Sequence, residues 1–112
     1  MNIQIFGSKK CFDTKKAERY FKERKIKYSL IDMKKKGISK GELNNVSRAI
    51  PVNELINEKG KGYKASNLDK IRSSEMKLEV LLKNQSLIKT PIVRNGKSAT
   101  IGYKPEIWNE WE

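Results

Sequence analysis

The sequence predicts an α/β fold: a mixed four-stranded sheet flanked by helices, with a helical subdomain inserted between its two halves. Three observations carry that prediction. The first 32 residues show β-α-β periodicity, a long stretch with only helical spacing follows, and two short β-prone runs joined by Asn95-Gly96 lie near the end. The chain has 112 residues, 37% hydrophobic and 34% charged, which suits one core of modest size. A single domain over 1–112 is therefore expected, with residues 1–37 and 85–112 forming the sheet-bearing core and 38–84 the mostly helical insert.

Residues 2–6 alternate Ile3 and Ile5 with polar neighbours before Gly7 and Ser8 interrupt the pattern, which describes a strand and a turn. From Phe12 onward, Ala17, Tyr20 and Phe21 fall at spacings of three and four among Lys15, Lys16, Arg19 and Lys22, an amphipathic helix of about three turns. Cys11 opens that helix. Ile26, Tyr28 and Leu30 then alternate with Lys27 and Ser29 up to Asp32, so a second strand should lie parallel to the first.

After the polar connection 34–37, Ser39 and Glu42 form a capping-box pattern that starts a helix through Leu43 and Val46 toward Arg48. Pro51 should end it and open a short turn around Val52, Leu55 and Ile56. The segment 60–70 reads as a loop, with Ser66 and Asp69 repeating the cap spacing. Ser73 or Ser74 caps a helix that puts Leu78, Leu81 and Leu82 on one face. At the tail, residues 90–94 and 97–101 are expected to pair across an Asn95-Gly96 type I′ turn, with Pro91 opening the first strand as an edge position or a special turn tolerates. Pro105 suits the first position of a closing helix through Ile107, Trp108 and Trp111, whose aromatics should cover the sheet.

Composition bounds the chemistry. One cysteine excludes an internal disulfide, and the absence of histidine excludes a histidine general base and the common histidine-containing zinc sites. No run approaches the ~20 apolar residues of a membrane helix, and no signal-peptide pattern follows Met1, so a cytoplasmic location is expected with no membrane partner. Lys and Arg number 25 against 13 Asp and Glu, a formal +12; residues 1–40 hold 13 of the basic and 4 of the acidic side chains. That asymmetry favours an anionic partner, the alternative being a plain solvated face. Phe6, Phe12, Tyr20 and Phe21 read as core or helix-packing residues rather than a stacking platform, which ranks direct nucleic-acid binding last.

Cys11 has two readings. A lone cysteine is ordinarily a small buried hydrophobe. Placed between a strand-ending Gly-Ser and a helix start, it can instead be a thiolate stabilised by unpaired N–H groups and by Lys9, Lys10, Lys15 and Lys16. Thr14, three residues on, can offer it a hydroxyl. Arg94 is either an exposed strand cation or an oxyanion ligand.

The element order is that of a thioredoxin-like fold with helices inserted between the halves. Residues 6–28 (FGSKKCFDTKKAERYFKERKIKY), the central INEKGKGYKASNL and the terminal TPIVRNGKSATIGYKPEIW resemble the corresponding segments of the arsenate reductase (ArsC)/Spx/YffB family of glutaredoxin-like proteins, nearly end to end. The resemblance implies Cys11 as the catalytic thiol, a cis peptide bond before Pro91, and Ser8, Thr90 and Pro91 as walls of the site. Lys10, Thr14, Lys15 and Arg94 are the matching candidates for steadying the thiolate or binding an anion. No bound cofactor or metal is implied.

Departures from the family pattern narrow the function. The family's arsenate reductases use three arginines, and the matching positions are Lys59, Thr90 and Lys104; lysine and threonine cannot reproduce arginine's bidentate fork, which argues against efficient arsenate reduction. Relative to the Spx regulators, the CxxC pair is reduced to Cys11 and Thr14, and no extended tail follows. Two functions result. One is a monothiol oxidoreductase whose mixed disulfide is resolved by glutathione, a thioredoxin or glutaredoxin, or another external thiol. The other is an Spx-like regulator or binding module that contacts RNA polymerase.

Overall fold

In the computed structural model, which describes residues 1–111, four strands form one sheet in the order β2-β1-β3-β4. Strand β1 (Ile3–Gly7) pairs in parallel with β2 (Tyr28–Asp32) and antiparallel with β3 (Ile92–Asn95), which pairs antiparallel with β4 (Ser98–Ile101). The β1-α1-β2 unit, with α1 spanning Phe12–Glu23, and the closing β3-β4-α6 unit, with α6 spanning Pro105–Trp111, give the thioredoxin-like arrangement. Between them run helices only: α2 (Lys40–Ala49), α3 (Val52–Leu55), the single turn α4 (Tyr63–Ser66), α5 (Ser74–Lys83), and 3-10 turns at Leu68–Lys70 and Gln85–Leu87.

Alternation along the central strands sorts the core into two layers. Ile3, Ile5 and Val93 point one way and pack with Ala17, Tyr20, Phe21 and Trp108. Phe6 and Ile92 point the other way, against Leu43, Val46, Leu55, Leu81 and their neighbours from the insert. The first layer is locked by edge-on aromatic contacts of Trp108 with Tyr20 at 5.2 Å and Tyr103 at 5.7 Å, and by the buried bond from Trp108 Nε1 to Thr100 Oγ1 at 2.8 Å. In the second, the Gln85 side chain, just past the end of the insert, ties back to Ile38 at its start. Its Oε1 accepts from Ile38 N and its Nε2 donates to Ile38 O, both at 2.9 Å. Gly37, at φ +70, passes so close to Gln85 Oε1 that a side chain there would displace this tie.

Local signals set the helix starts. Ser39 and Glu42 form the full capping box, and the Ser73 hydroxyl accepts from Met76 N at 3.3 Å. Several expectations are corrected. Strand β2 begins at Tyr28 rather than Ile26, because Ile26 N bonds back to Phe21 O and Lys25 adopts φ +57 in closing α1. Of the two settings open to Pro91, the special turn holds and the edge does not: β3 is central, and Pro91 stands just outside it after a cis peptide bond. The hairpin turn is centred on Gly96 and Lys97 rather than Asn95 and Gly96: Asn95 stays in the strand opposite Ser98, its side chain accepts from Asn2 N, and only Gly96 takes positive φ, at +61. That follows the type II′ pattern, with glycine first. Ser66 ends a helical turn, donating its hydroxyl to Tyr63 O, and Asn67 takes the cap position of the next turn, although Ser66 Oγ still accepts from that turn's first amide, Leu68 N, at 3.3 Å. Phe12 is 77% exposed, not core.

Candidate functional site

The site grows from the end of β1. Gly7 is needed there because Thr14 lies against it: a Cβ on Gly7 would meet Thr14 Oγ1 and Cγ2 at 2.5 Å. Thr14, 1% exposed, accepts from Ser8 N at 3.4 Å. The turn continues with Lys10 N on Ser8 Oγ and Cys11 N on Ser8 O, at 3.3 and 3.0 Å. Cys11 thereby becomes the N-cap of α1, with extended backbone (φ −89, ψ 118) and a half-buried thiol. It gives the helix no side-chain oxygen as a cap, so the first-turn amides of Asp13 and Thr14 are left to face its sulfur.

The opposite wall comes from the far end of the sequence. An antiparallel bridge between Ile56 and Ile88, extended by Asn57 N to Leu87 O at 2.7 Å and Lys89 N to Leu55 O at 2.8 Å, holds residues 87–89 against the insert. The chain then enters β3 through the Thr90-Pro91 peptide bond, which is cis. The Cys11 thiol donates to Thr90 O at 3.7 Å. Burial alone would push the Cys11 thiol up in pKa. Hydrogen bonds from the hydroxyls of Thr14 and Thr90 and from the amides of Thr14 and Asp13 outweigh it and hold the thiol below the ordinary cysteine range.

Sulfur and threonine open on a cleft of about 840 Å³ between the sheet and the insert. Ser8, Cys11, Asp13 and Thr90 form one end; Gln85, Ser86 and Asn57 supply polar groups; Met33, Ile88 and Ile101 are the apolar floor; Lys34 and Lys89 stand on its walls. Neither lysine has an ion-pair partner among the described residues. No cluster of three or more His, Cys, Asp or Glu side chains able to hold a metal occurs among them. Nor is any helix among the described residues long and apolar enough to cross a membrane.

Cys11, Thr14, Ser8, Thr90 and Pro91 are thus brought together, but the candidate cations are arranged otherwise. Lys10 and Lys15 are exposed, and the Lys15 ammonium lies 5.8 Å over the Phe12 ring, as Lys16 lies 5.7 Å over Tyr103. Hydrogen bonds rather than these ammonium groups lower the Cys11 pKa. Arg94 does not reach the cleft. It sits on the sheet face beneath α2, where Nη1 donates to Gln4 Oε1 at 2.9 Å and lies 3.9 Å from Glu42 Oε2. Strand register explains this: Arg94 pairs with Gln4, three positions below Gly7, about 10 Å along the strand. Lys34, Lys89, Asn57 and Gln85 were not singled out by sequence reasoning. The one available signal was that Lys89 immediately precedes Thr90-Pro91, and in a chain this rich in lysine it carries little weight.

Comparison with known proteins bears on the family and the fold. The model of the ArsC family matches residues 6–111. Similar sequences include the global transcriptional regulator Spx 2 of Oceanobacillus iheyensis, 25% identical over all of this chain and 94% of that protein, and an arsenate reductase of Haemophilus influenzae, 26% identical over 95% of each. Among solved structures, a putative ArsC family related protein from Bacteroides fragilis superposes with a TM-score of 0.87 at 24% identity, covering 100% of this chain and 98% of that one.

Proposed function

The chain belongs to the ArsC family, and from that premise we propose that it is a monothiol oxidoreductase with Cys11 as its nucleophile. The observation that carries the reading is the Cys11 thiol at the start of α1, with its pKa lowered, 3.7 Å from Thr90 O at the mouth of a cleft able to take a peptide-sized thiol. The Cys11 thiolate attacks one sulfur of a glutathione-containing disulfide. A bond forms between Cys11 and the glutathione sulfur, the old S–S bond breaks, and the departing sulfur leaves as a thiolate that solvent protonates. Because Thr14 stands where a CxxC partner would be and no other cysteine exists, a second thiolate from outside, such as glutathione, must attack the mixed disulfide. That step returns the Cys11 thiolate and releases a disulfide between the incoming thiol and glutathione, so the substrate sulfur leaves as a thiol and one external thiol takes its place in the disulfide.

Disulfide chemistry is favoured over oxyanion reduction. The positions matching the family's arginines are Lys59, Thr90 and Lys104, and Arg94 is already engaged by Gln4 and Glu42. Intact-mass measurement after exposure to oxidised glutathione tests the reading. One adduct at Cys11, reversed by excess reduced glutathione and lost in Cys11→Ser together with turnover by a factor on the order of a thousand, is expected. A folded wild-type protein that takes up no adduct would falsify it.

Similarity to Spx 2 supports a second reading, regulation through contact with RNA polymerase. With a single cysteine the chain cannot switch through an internal disulfide, so such contact would be redox-independent or controlled by a thiol adduct at Cys11. Affinity capture at low salt that returns no polymerase subunit argues against it.

A further inference from the structure

Next to the Cys11 cleft lies a second groove of about 360 Å³ lined by Ala99, Thr100 and Ile101 of β4, and the two share Lys89 and Ile101 as lining residues. Strand β4 has β3 on one side and no strand on the other. Gly102 N bonds to Pro91 O at 2.9 Å, so position 102 turns its peptide groups toward β3; by the alternation of an antiparallel ladder, Thr100 and Ser98 do the same. Ala99 and Ile101 therefore present N–H and C=O outward, into the groove they line, with no partner among the described residues.

From this edge we infer a binding site for an extended acidic segment of a protein substrate, which adds as a strand along Ala99 and Ile101 and brings its own cysteine to Cys11. The inference rests on the oxidoreductase reading above and specifies its substrate class. The backbone edge supplies sequence-independent hydrogen bonds of the kind used in strand addition. Lys34, Lys89 and Lys104 line the track with no ion-pair partner among the described residues, against the carboxylates of Asp13 and Glu54, in a molecule of formal charge +12. Ile50 and the 38%-exposed Ile107 offer an apolar foothold at the far end. Residues 101 and 102 lie beside 91 and 92, next to Thr90, so about six extended residues suffice to run from the sulfur to Ala99. The covalent step is the one already written: the glutathione sulfur of a glutathionylated cysteine moves to Cys11, and the segment's cysteine leaves as a thiolate.

The test uses the whole protein and three 13-residue peptides, each with a glutathionylated central cysteine and six residues on either side: one flanked by glutamates, one by lysines, and a backbone N-methylated form of the first. The rate of glutathione transfer to Cys11 is read by intact mass at low salt, with oxidised glutathione as reference. The acidic peptide is expected to react about tenfold faster than the basic one. N-methylation should slow the acidic peptide by about threefold or more, and Lys104→Glu should slow it by at least about threefold more than it slows oxidised glutathione. Equal rates for the acidic and basic peptides, or an acidic-peptide rate untouched by both changes, overturn the inference while leaving the thiol reading in place. No adduct from any disulfide overturns the reading and the inference together.

Discussion

The two faces of the sheet are packed with different chemistry. Beneath α1 and α6 the layer is aromatic and closed: Tyr20, Phe21 and Trp108 meet ring to ring around Ile3, Ile5 and Val93. Beneath the insert the fully buried residues are aliphatic apart from Phe6, with Tyr63 packed at the margin, and the polar Gln85 tie does part of the joining. The closed face fixes where α1 starts and so where Cys11 stands. The insert face leaves a large cleft beside the same sulfur. Rigidity and access are thus supplied by opposite sides of one sheet, and substitutions on the two sides should separate stability from reactivity.

The largest effect belongs to the closed face. Trp108→Ala removes a fully buried indole together with its bond to Thr100 and should cost about 4 kcal/mol in urea unfolding, with the alkylation rate of Cys11 unchanged in the fraction that stays folded. A changed rate would mean that the face does more than support α1.

Across the sheet, Gln85→Ala strands the backbone groups of Ile38 and should cost about 2 kcal/mol of stability, while altering glutathione uptake, because the same side chain lines the cleft. Unaltered uptake would erase the distinction between the faces. Thr14→Val keeps the shape against Gly7 but removes the hydroxyl that helps hold the thiolate. It should slow Cys11 alkylation at neutral pH by about fivefold and move the pH profile upward. The sign is set by the lowered folded-state pKa: the thiolate's contribution to stability is present above the pKa of the unfolded thiol and is lost as pH falls through the folded value. In the valine variant that loss should come at higher pH. The smallest effect is expected from Arg94→Met, about 1 kcal/mol or less of stability with no change in adduct formation. A clear loss of anion-dependent activity there would reassign Arg94 to the site.

How much of this was legible beforehand follows from the range of each signal. The Ser39-Glu42 box, the Ser73 cap, the Pro105 helix start and the amphipathic spacing of Ala17, Tyr20 and Phe21 are local, and each matches the structure. The hairpin shifted by one residue because Asn95 had a strand partner in Ser98 and a bond from Asn2, contacts that turn chemistry alone does not include. Phe12 was misassigned because helical spacing reports which residues share a face, not whether that face is covered at the helix start.

The sequence by itself determined the order of elements, the helix caps and the placing of a lone cysteine between a strand and a helix, all properties of residues within a few positions of one another. Tertiary structure decided what that cysteine faces. Thr90 lies 79 residues away along the chain, and Lys34, Gln85 and Lys89 come from segments that meet only when the insert folds over the sheet. The register of β1 against β3 drew Arg94 away from the cleft and under α2, since pairing with Gln4 fixes both its height and the face it occupies.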